Sequence, residues 1–351
     1  MDTHGATPFR LARYLALTWC GLIIYGSLHP FSGWRDIGVS PLAFLDAGWP
    51  RYWTAFDLLA NVAVYLPLGF LLTLAFSHWR WRWLAPLLAV LLGTGLSLGL
   101  EIAQNWLPSR VPSHVDFACN IAGTLLGGLW AIWIGPRYIA RITQWQSLLA
   151  PSAQAELGLT LLGLWLLVPL SPEILLFGAG DLRQALGLPG AVPFAADRFV
   201  QIEAAVTALN ALAVGLILRH LCVRATVALW VIPLFLLLGL LIRTLSAAVL
   251  INPLDALAWL TPGAQLGLVV ALAILMAAIW LPSTARLMLA AIVLMAGTVL
   301  VNLAPPNPYS TAALAAWRQG HFLNFNGLTR WVATLWPFLT LPFLLLAIRR
   351  P

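Results

Sequence analysis

The sequence carries very little charge and no lysine. Of 351 residues only 9% are Asp, Glu, Lys or Arg, and all 19 basic residues are arginine. A soluble domain carries about 25% charged residues, so this chain cannot clothe a globular surface of its own size. That excludes a soluble multidomain enzyme and a disordered polymer alike. Cysteine is as scarce: Cys20, Cys119 and Cys222 are the three present. They show no CxxC or Cys/His spacing, so no disulfide framework, metal site or cofactor is expected. No run of arginines exceeds two, so the net charge of +7 is not a nucleic-acid footprint.

What remains is apolar. Hydrophobic residues make up 61% of the chain, with a mean hydropathy of +0.89. The composition predicts an all-α, polytopic integral membrane bundle with about ten transmembrane helices of roughly 20 residues each. The apolar stretches run over 11–28, 56–76, 84–107, 115–135, 156–177, 202–218, 225–250, 263–281, 287–303 and 331–348. No small-residue cleavage site follows the first stretch, which reads Tyr25-Gly26-Ser27-Leu28-His29-Pro30, so it is expected to stay as a span. With the N-terminus in the cytoplasm, eleven arginines fall inside and seven outside, Arg243 lying within a span. Both termini are then expected in the cytoplasm. The long loops 29–55, 178–201 and 304–330 fall outside and are rich in Pro, Gly, Asn and aromatic residues. The Arg-containing stretch 136–155 divides the chain into a four-helix domain, 1–140, and a six-helix extension, 141–351.

Polar residues gather where hydropathy alone would forbid them. Asp57, Asn61 and Tyr65 are spaced i, i+4, i+8 and share one helical stripe. Ser97, Glu101 and Gln104 share a face of the third span, with Gly95 and Gly99 on its opposite side as an expected packing surface. Asp116, Asn120, Gly123 and Gly127 fall in one sector of the fourth. Between the last two lies the tight loop Pro108-Ser109-Arg110-Val111-Pro112-Ser113-His114. The orientation brings all three sets to the outer third of the bilayer. Ionisable groups in a membrane are costly and usually face a bundle interior or a wet cavity. Pro67 is expected to kink the second span.

In order and on consecutive spans, these residues form a pattern. Asp57-x-x-x-Asn61-x-x-x-Tyr65-x-Pro67-Leu68-Gly69, Glu101-x-x-Gln104 and Arg110-x-x-Ser113-x-x-Asp116-x-x-x-Asn120-x-x-Gly123-x-x-x-Gly127 resemble the VanZ-like membrane family over about residues 12–135. That family takes its name from a protein associated with resistance to the glycopeptide teicoplanin. The resemblance implies a multi-span cell-envelope protein of the bacterial cytoplasmic membrane, without implying a reaction.

The residues support a site for an amphipathic envelope molecule, a lipid-linked glycan or phospholipid head group, with membrane lipids as partners and no nucleic acid. Asp57, Glu101 and Asp116 are the candidate catalytic acids, one of them expected to hold a proton as general acid or base. Arg110 is expected to bind a phosphate or carboxylate of the substrate. Asn61, Gln104, Ser113, Asn120 and Tyr65 are expected to orient it. A single charge-balanced cluster of Asp57, Glu101, Arg110 and Asp116 is the sharpest form of this reading. The alternatives are a non-catalytic lipid- or glycan-binding or scaffold protein, and a transporter or flippase, which the lack of an inverted repeat disfavours. Two further expectations concern the later spans. Arg243 should pair with Glu173, or else with Glu203, and the loop near 304–330, with Trp317, His321, Phe322, Asn324, Phe325 and Asn326, should cover the site.

Overall fold

The computed structural model describes residues 7–29, 31–36, 38–49, 54–77, 82–146, 153–171, 174–186, 194–250, 252–305 and 323–349. These residues are all-helical, and eight of their helices are long and apolar enough to cross a membrane. The chain reads as a polytopic membrane protein. It divides into two compact units, Met1–Trp145 and Gln146–Pro351.

The first unit holds α1 (Thr7–Leu28), α2 (Ala55–Phe76), α3 (Ala85–Gln104) and α4 (His114–Gln146). Helix α4 runs beyond its apolar part, past Arg137. Glycine sets how closely the helices pack. A methyl group at Gly123 would overlap the Val62 carbonyl, and one at Gly127 the Leu66 carbonyl, so α4 lies backbone to backbone on α2. From the other side Gly69 of α2 meets the backbone of Thr124, and a Cβ at Gly93 of α3 would stand 2.6 Å from the Thr124 side chain. Thr124 is thereby held between two glycines. Gly95 and Gly99, the expected packing surface, face open space instead. Their spacing is that of a small-residue motif, but α3 turns its Gly93 and Ser97 side inward. Helix α2 continues through Pro67. In the turn that the proline deprives of a donor, Trp19 of α1 donates its Nε1–H to the Val64 carbonyl at 2.8 Å.

The second unit is built around α7 (Ala196–Leu221), 67% of whose apolar window is buried. Against it pack α5 (Ala153–Trp165), α8 (Ala225–Leu250), α9 (Pro262–Ala278) and α10 (Ser283–Leu303), while α11 (Leu323–Arg349) packs on α10 and α5, and Arg183 of the single-turn α6 (Arg183–Leu186) donates to the Ala304 carbonyl at the end of α10. The expected fifth span, 156–177, is broken. Helix α5 stops at Trp165, and a 3₁₀ turn over Val168–Leu170 leads into non-helical backbone near Ser171 and over 174–182. Pro169 and Pro172 supply no N–H and disfavour helix in the residue before each, which hydropathy cannot register. Phe177 (φ 60°) and Gly180 (φ 90°) take left-handed conformations there.

Neighbouring helices satisfy this buried irregular stretch, as non-helical backbone at membrane depth requires. Asn302 of α10 donates to the Gly180 carbonyl at 2.7 Å and accepts from the Leu182 N–H at 2.9 Å. Ser246 donates to the Leu170 carbonyl at 2.7 Å. Arg243 donates to the Ser171 carbonyl and to that of Ile174 at 2.6 Å. Carbonyls freed by the broken helix thus take two of the Arg243 donors, and Glu203, the alternative partner, feels it electrostatically. Glu173 lies outside the described residues. So does the segment 306–322, with Trp317, His321 and Phe322, together with the side chains of Asn324, Phe325 and Asn326, on which the expected lid depends.

Candidate functional site

At one end of the first unit the N-terminus of α2, the C-terminus of α3 and the N-terminus of α4 come together. Helix α2 begins with a closed capping box. Thr54 Oγ1 accepts from the Asp57 N–H at 3.1 Å, while Asp57 Oδ2 accepts from the Thr54 N–H at 3.0 Å and hydroxyl at 2.7 Å. Asp57 is exposed, and both contacts are local.

Helix α4 begins with Ser113-x-x-Asp116, the serine counterpart of that pattern, but with a different closure. Ser113 Oγ accepts from the N–H groups of Val115 at 3.2 Å and Asp116 at 3.4 Å. The Ser113 N–H, which the third residue of a capping box would normally take, donates instead to Glu101 Oε2 of α3 at 2.8 Å. Glu101 is 4% exposed. The Asp116 carboxyl is left to face Asn61 of α2, within electrostatic reach of Asp57 and Glu101.

Behind this pair of acids lies a second polar layer. Asn120 donates Nδ2–H to Ser97 Oγ at 2.9 Å, and the Tyr65 hydroxyl approaches the same Ser97 and feels Glu101. Thr124 donates to the Asn120 carbonyl at 2.8 Å. Asn120 Oδ1 is buried without a hydrogen-bond partner. The close approach of α4 to α2 and α3 at Gly123 and Gly93 puts Asn61, Tyr65, Ser97 and Asn120 within one layer. Sequence reading placed Ser97 on the right face but gave it no role. The signal was its position one turn before Glu101.

Arg110 and Gln104 point elsewhere. Arg110 donates to the carbonyls of Gly26 at 2.9 Å and His29 at 3.2 Å, and Gln104 donates to that of Ser27 at 3.1 Å. Among the described residues no carboxylate lies within ion-pairing distance of Arg110. The expected charge-balanced cluster is thus not formed. The last carbonyls of a helix need donors, and Arg110 and Gln104 cap the end of α1. Burial pulls the Arg110 pKa below the ordinary arginine value.

The loop over 31–49 crosses the ends of α3 and α4. The Arg35 N–H donates to the Trp106 carbonyl at 2.9 Å, and Asn105 donates to that of Pro41 at 2.7 Å. Phe44 is buried edge-on against Phe117 at a centroid distance of 6.3 Å, and Trp49 meets His114 edge-on at 6.5 Å. No group of three His, Cys, Asp or Glu side chains among the described residues is placed to hold a metal ion.

Residues 12–135 match the protein family described as VanZ/LLP1. The match ends within α4 and takes in every residue of the polar layers. Comparison with curated proteins and comparison with solved structures return no match.

Proposed function

We propose that the polar end of α2, α3 and α4 binds the head group of an amphipathic cell-envelope molecule, a lipid-linked glycan or a phospholipid, at the outer leaflet of a bacterial cytoplasmic membrane. The observation that carries this reading is the buried Asn120 Oδ1, an acceptor without a donor, in a layer with Ser97 and Tyr65 beneath Glu101 and Asp116. A buried acceptor left unmade costs about 1–3 kcal/mol, which a ligand hydroxyl or ammonium would offset. Acceptors dominate the site, and Arg110 is held by α1. The head group therefore enters with its donor-bearing part, sugar hydroxyls before phosphate. Glu101 and Asp116 are the carboxyls for proton transfer, Asn61, Ser113, Tyr65 and Asn120 orient the head group, and Asp57, Arg110 and Gln104 hold the surrounding chain ends. Altered glycopeptide sensitivity follows on this reading from altered surface targets.

The arginines support the orientation. Arg10, Arg13, Arg82 and Arg137 lie toward the opposite ends of α1, α3 and α4, as a cytoplasmic face requires. A membrane-impermeant thiol reagent should label Ser109→Cys, an exposed loop position, from outside intact cells in a background lacking the native cysteines. Labelling only after permeabilisation would reverse the placement.

The functional test is complementation of a deletion strain, read by lipid and glycan profiles. Glu101→Gln and Asp116→Asn are expected to accumulate as folded protein and fail to restore the profile. Restoration by both would sink the site. A second, non-catalytic reading draws on the Glu101 to Ser113 hydrogen bond, which already gives that carboxylate a capping task. Retained binding of the accumulating head group without turnover by the purified protein would favour it.

A further inference from the structure

At the end of the second unit where α7 finishes and α10 begins, two arginines and a histidine stand together. Arg219 and His220 close α7, and Arg286 lies in the first turns of α10. Each of the three feels at least one of the others electrostatically. The guanidinium of Arg219 is 9% exposed and donates to the carbonyls of Ile279 at 2.9 Å and Cys222 at 3.1 Å. That of Arg286 donates to the Leu281 carbonyl at 2.5 Å. Both arginines therefore grip the same short connection between α9 and α10.

Capping explains some of these donors but not the grouping. The Arg286 Nε–H is buried and has no partner. Helix α10 starts behind Pro282 without a side-chain cap, so its first N–H groups add positive potential at the same end. Among the described residues no carboxylate lies within ion-pairing distance of Arg219, His220 or Arg286. Glu156 stands on the α5 turn just before Gly158, which packs under Leu221, and it is not their partner. Like charges grouped beside a membrane without an acid need a counter-anion.

We propose that this cluster binds a phosphate-bearing anion, and its setting favours the head group of an acidic phospholipid. The apolar spans Ala196–Leu221 and Ser283–Leu303 both end here, at the level of lipid head groups. Trp280, 62% exposed, sits on the gripped connection as an interfacial aromatic would. Basic pockets between transmembrane helices bind acidic head groups in this way. The site is separate from the polar end of the first unit and does not depend on its function.

The test uses the purified full chain in a neutral detergent and reads thermal unfolding. The probes are dihexanoyl phosphatidylglycerol, dihexanoyl phosphatidylcholine and inorganic phosphate. Phosphatidylglycerol should raise the midpoint, and phosphatidylcholine should do so far less. An equal rise with inorganic phosphate at the same concentration would assign the site to a free anion rather than a lipid. In Arg286→Gln the apparent affinity for phosphatidylglycerol should fall about fivefold for the one charge removed. Arg286→Lys should retain most of it. Where Arg286→Gln fails to fold, the salt dependence of the parent makes the test: its response to phosphatidylglycerol should weaken at high salt. Equal stabilisation by the two lipids, or a parental response in the Arg286→Gln protein or at high salt, would overturn the proposal.

Discussion

The Glu101 carboxylate of α3 accepts the backbone N–H of Ser113 at 2.8 Å, taking the place that Asp116 would fill in a closed capping box. Helix α2 shows the closed form at Thr54 and Asp57. The exchange locks the end of α3 to the start of α4 and frees Asp116 toward α2.

Glu101→Gln should therefore keep the fold, since its amide oxygen can still accept the Ser113 N–H, whereas Glu101→Leu leaves that donor unpaired. The expected loss for Leu is about 1–3 kcal/mol, with Gln within roughly 1 kcal/mol of the parent. Thermal unfolding in detergent measures both. Equal losses would mean that the hydrogen bond does not hold the two helices.

Glycine substitutions should separate by face. Gly127→Ala and Gly123→Ala push a methyl into the backbone of α2, at a cost of about 1–3 kcal/mol or more. Gly95→Ala and Gly99→Ala meet open space and should be neutral or stabilising, by up to about 1 kcal/mol from helix propensity. Melting curves of the four variants decide it, and destabilisation by the second pair would contradict the packing described.

Arg110 should behave as a tether of α1 and not as the partner of an acid. Both bonds come from one terminal nitrogen of Arg110, and an ammonium carries three donors, so Arg110→Lys should destabilise less than Arg110→Gln. In a double-mutant cycle with Glu101→Gln the coupling should stay below about 0.5 kcal/mol, as for independent sites. A coupling well above that would restore the ion-pair cluster.

Cys222, at the end of α7, should resist alkylation. Burial pushes its thiol up, and Arg219 nearby pulls it down by less. A raised thiol pKa means less thiolate at any given pH. In a Cys20→Ser, Cys119→Ala background its rate should lie below that of a free thiol at pH 8. It should keep climbing as the pH passes the ordinary thiol value of about 8.5, and denaturation should abolish the difference. A rate equal to that of an unfolded control at neutral pH would refute the burial.

Much of this protein was legible in its sequence because a membrane leaves few solutions. Composition alone set the all-helical, membrane-spanning class, since only helices and closed barrels satisfy every backbone group in lipid. Periodicity placed Asp57, Asn61 and Tyr65 on one stripe, because a stripe is a local property of one helix, and the shared depth of consecutive spans put Glu101 near Asp116. The tertiary structure decided what those groups touch. It gave Arg110 to the open carbonyls of α1 and set the Gly123 and Gly127 face, not that of Gly95 and Gly99, against a neighbour. Glycine spacing, hydropathy and charge describe what a helix offers. Which offer is taken depends on the carbonyls and faces that other elements leave unsatisfied, and those exist only once the chain has packed.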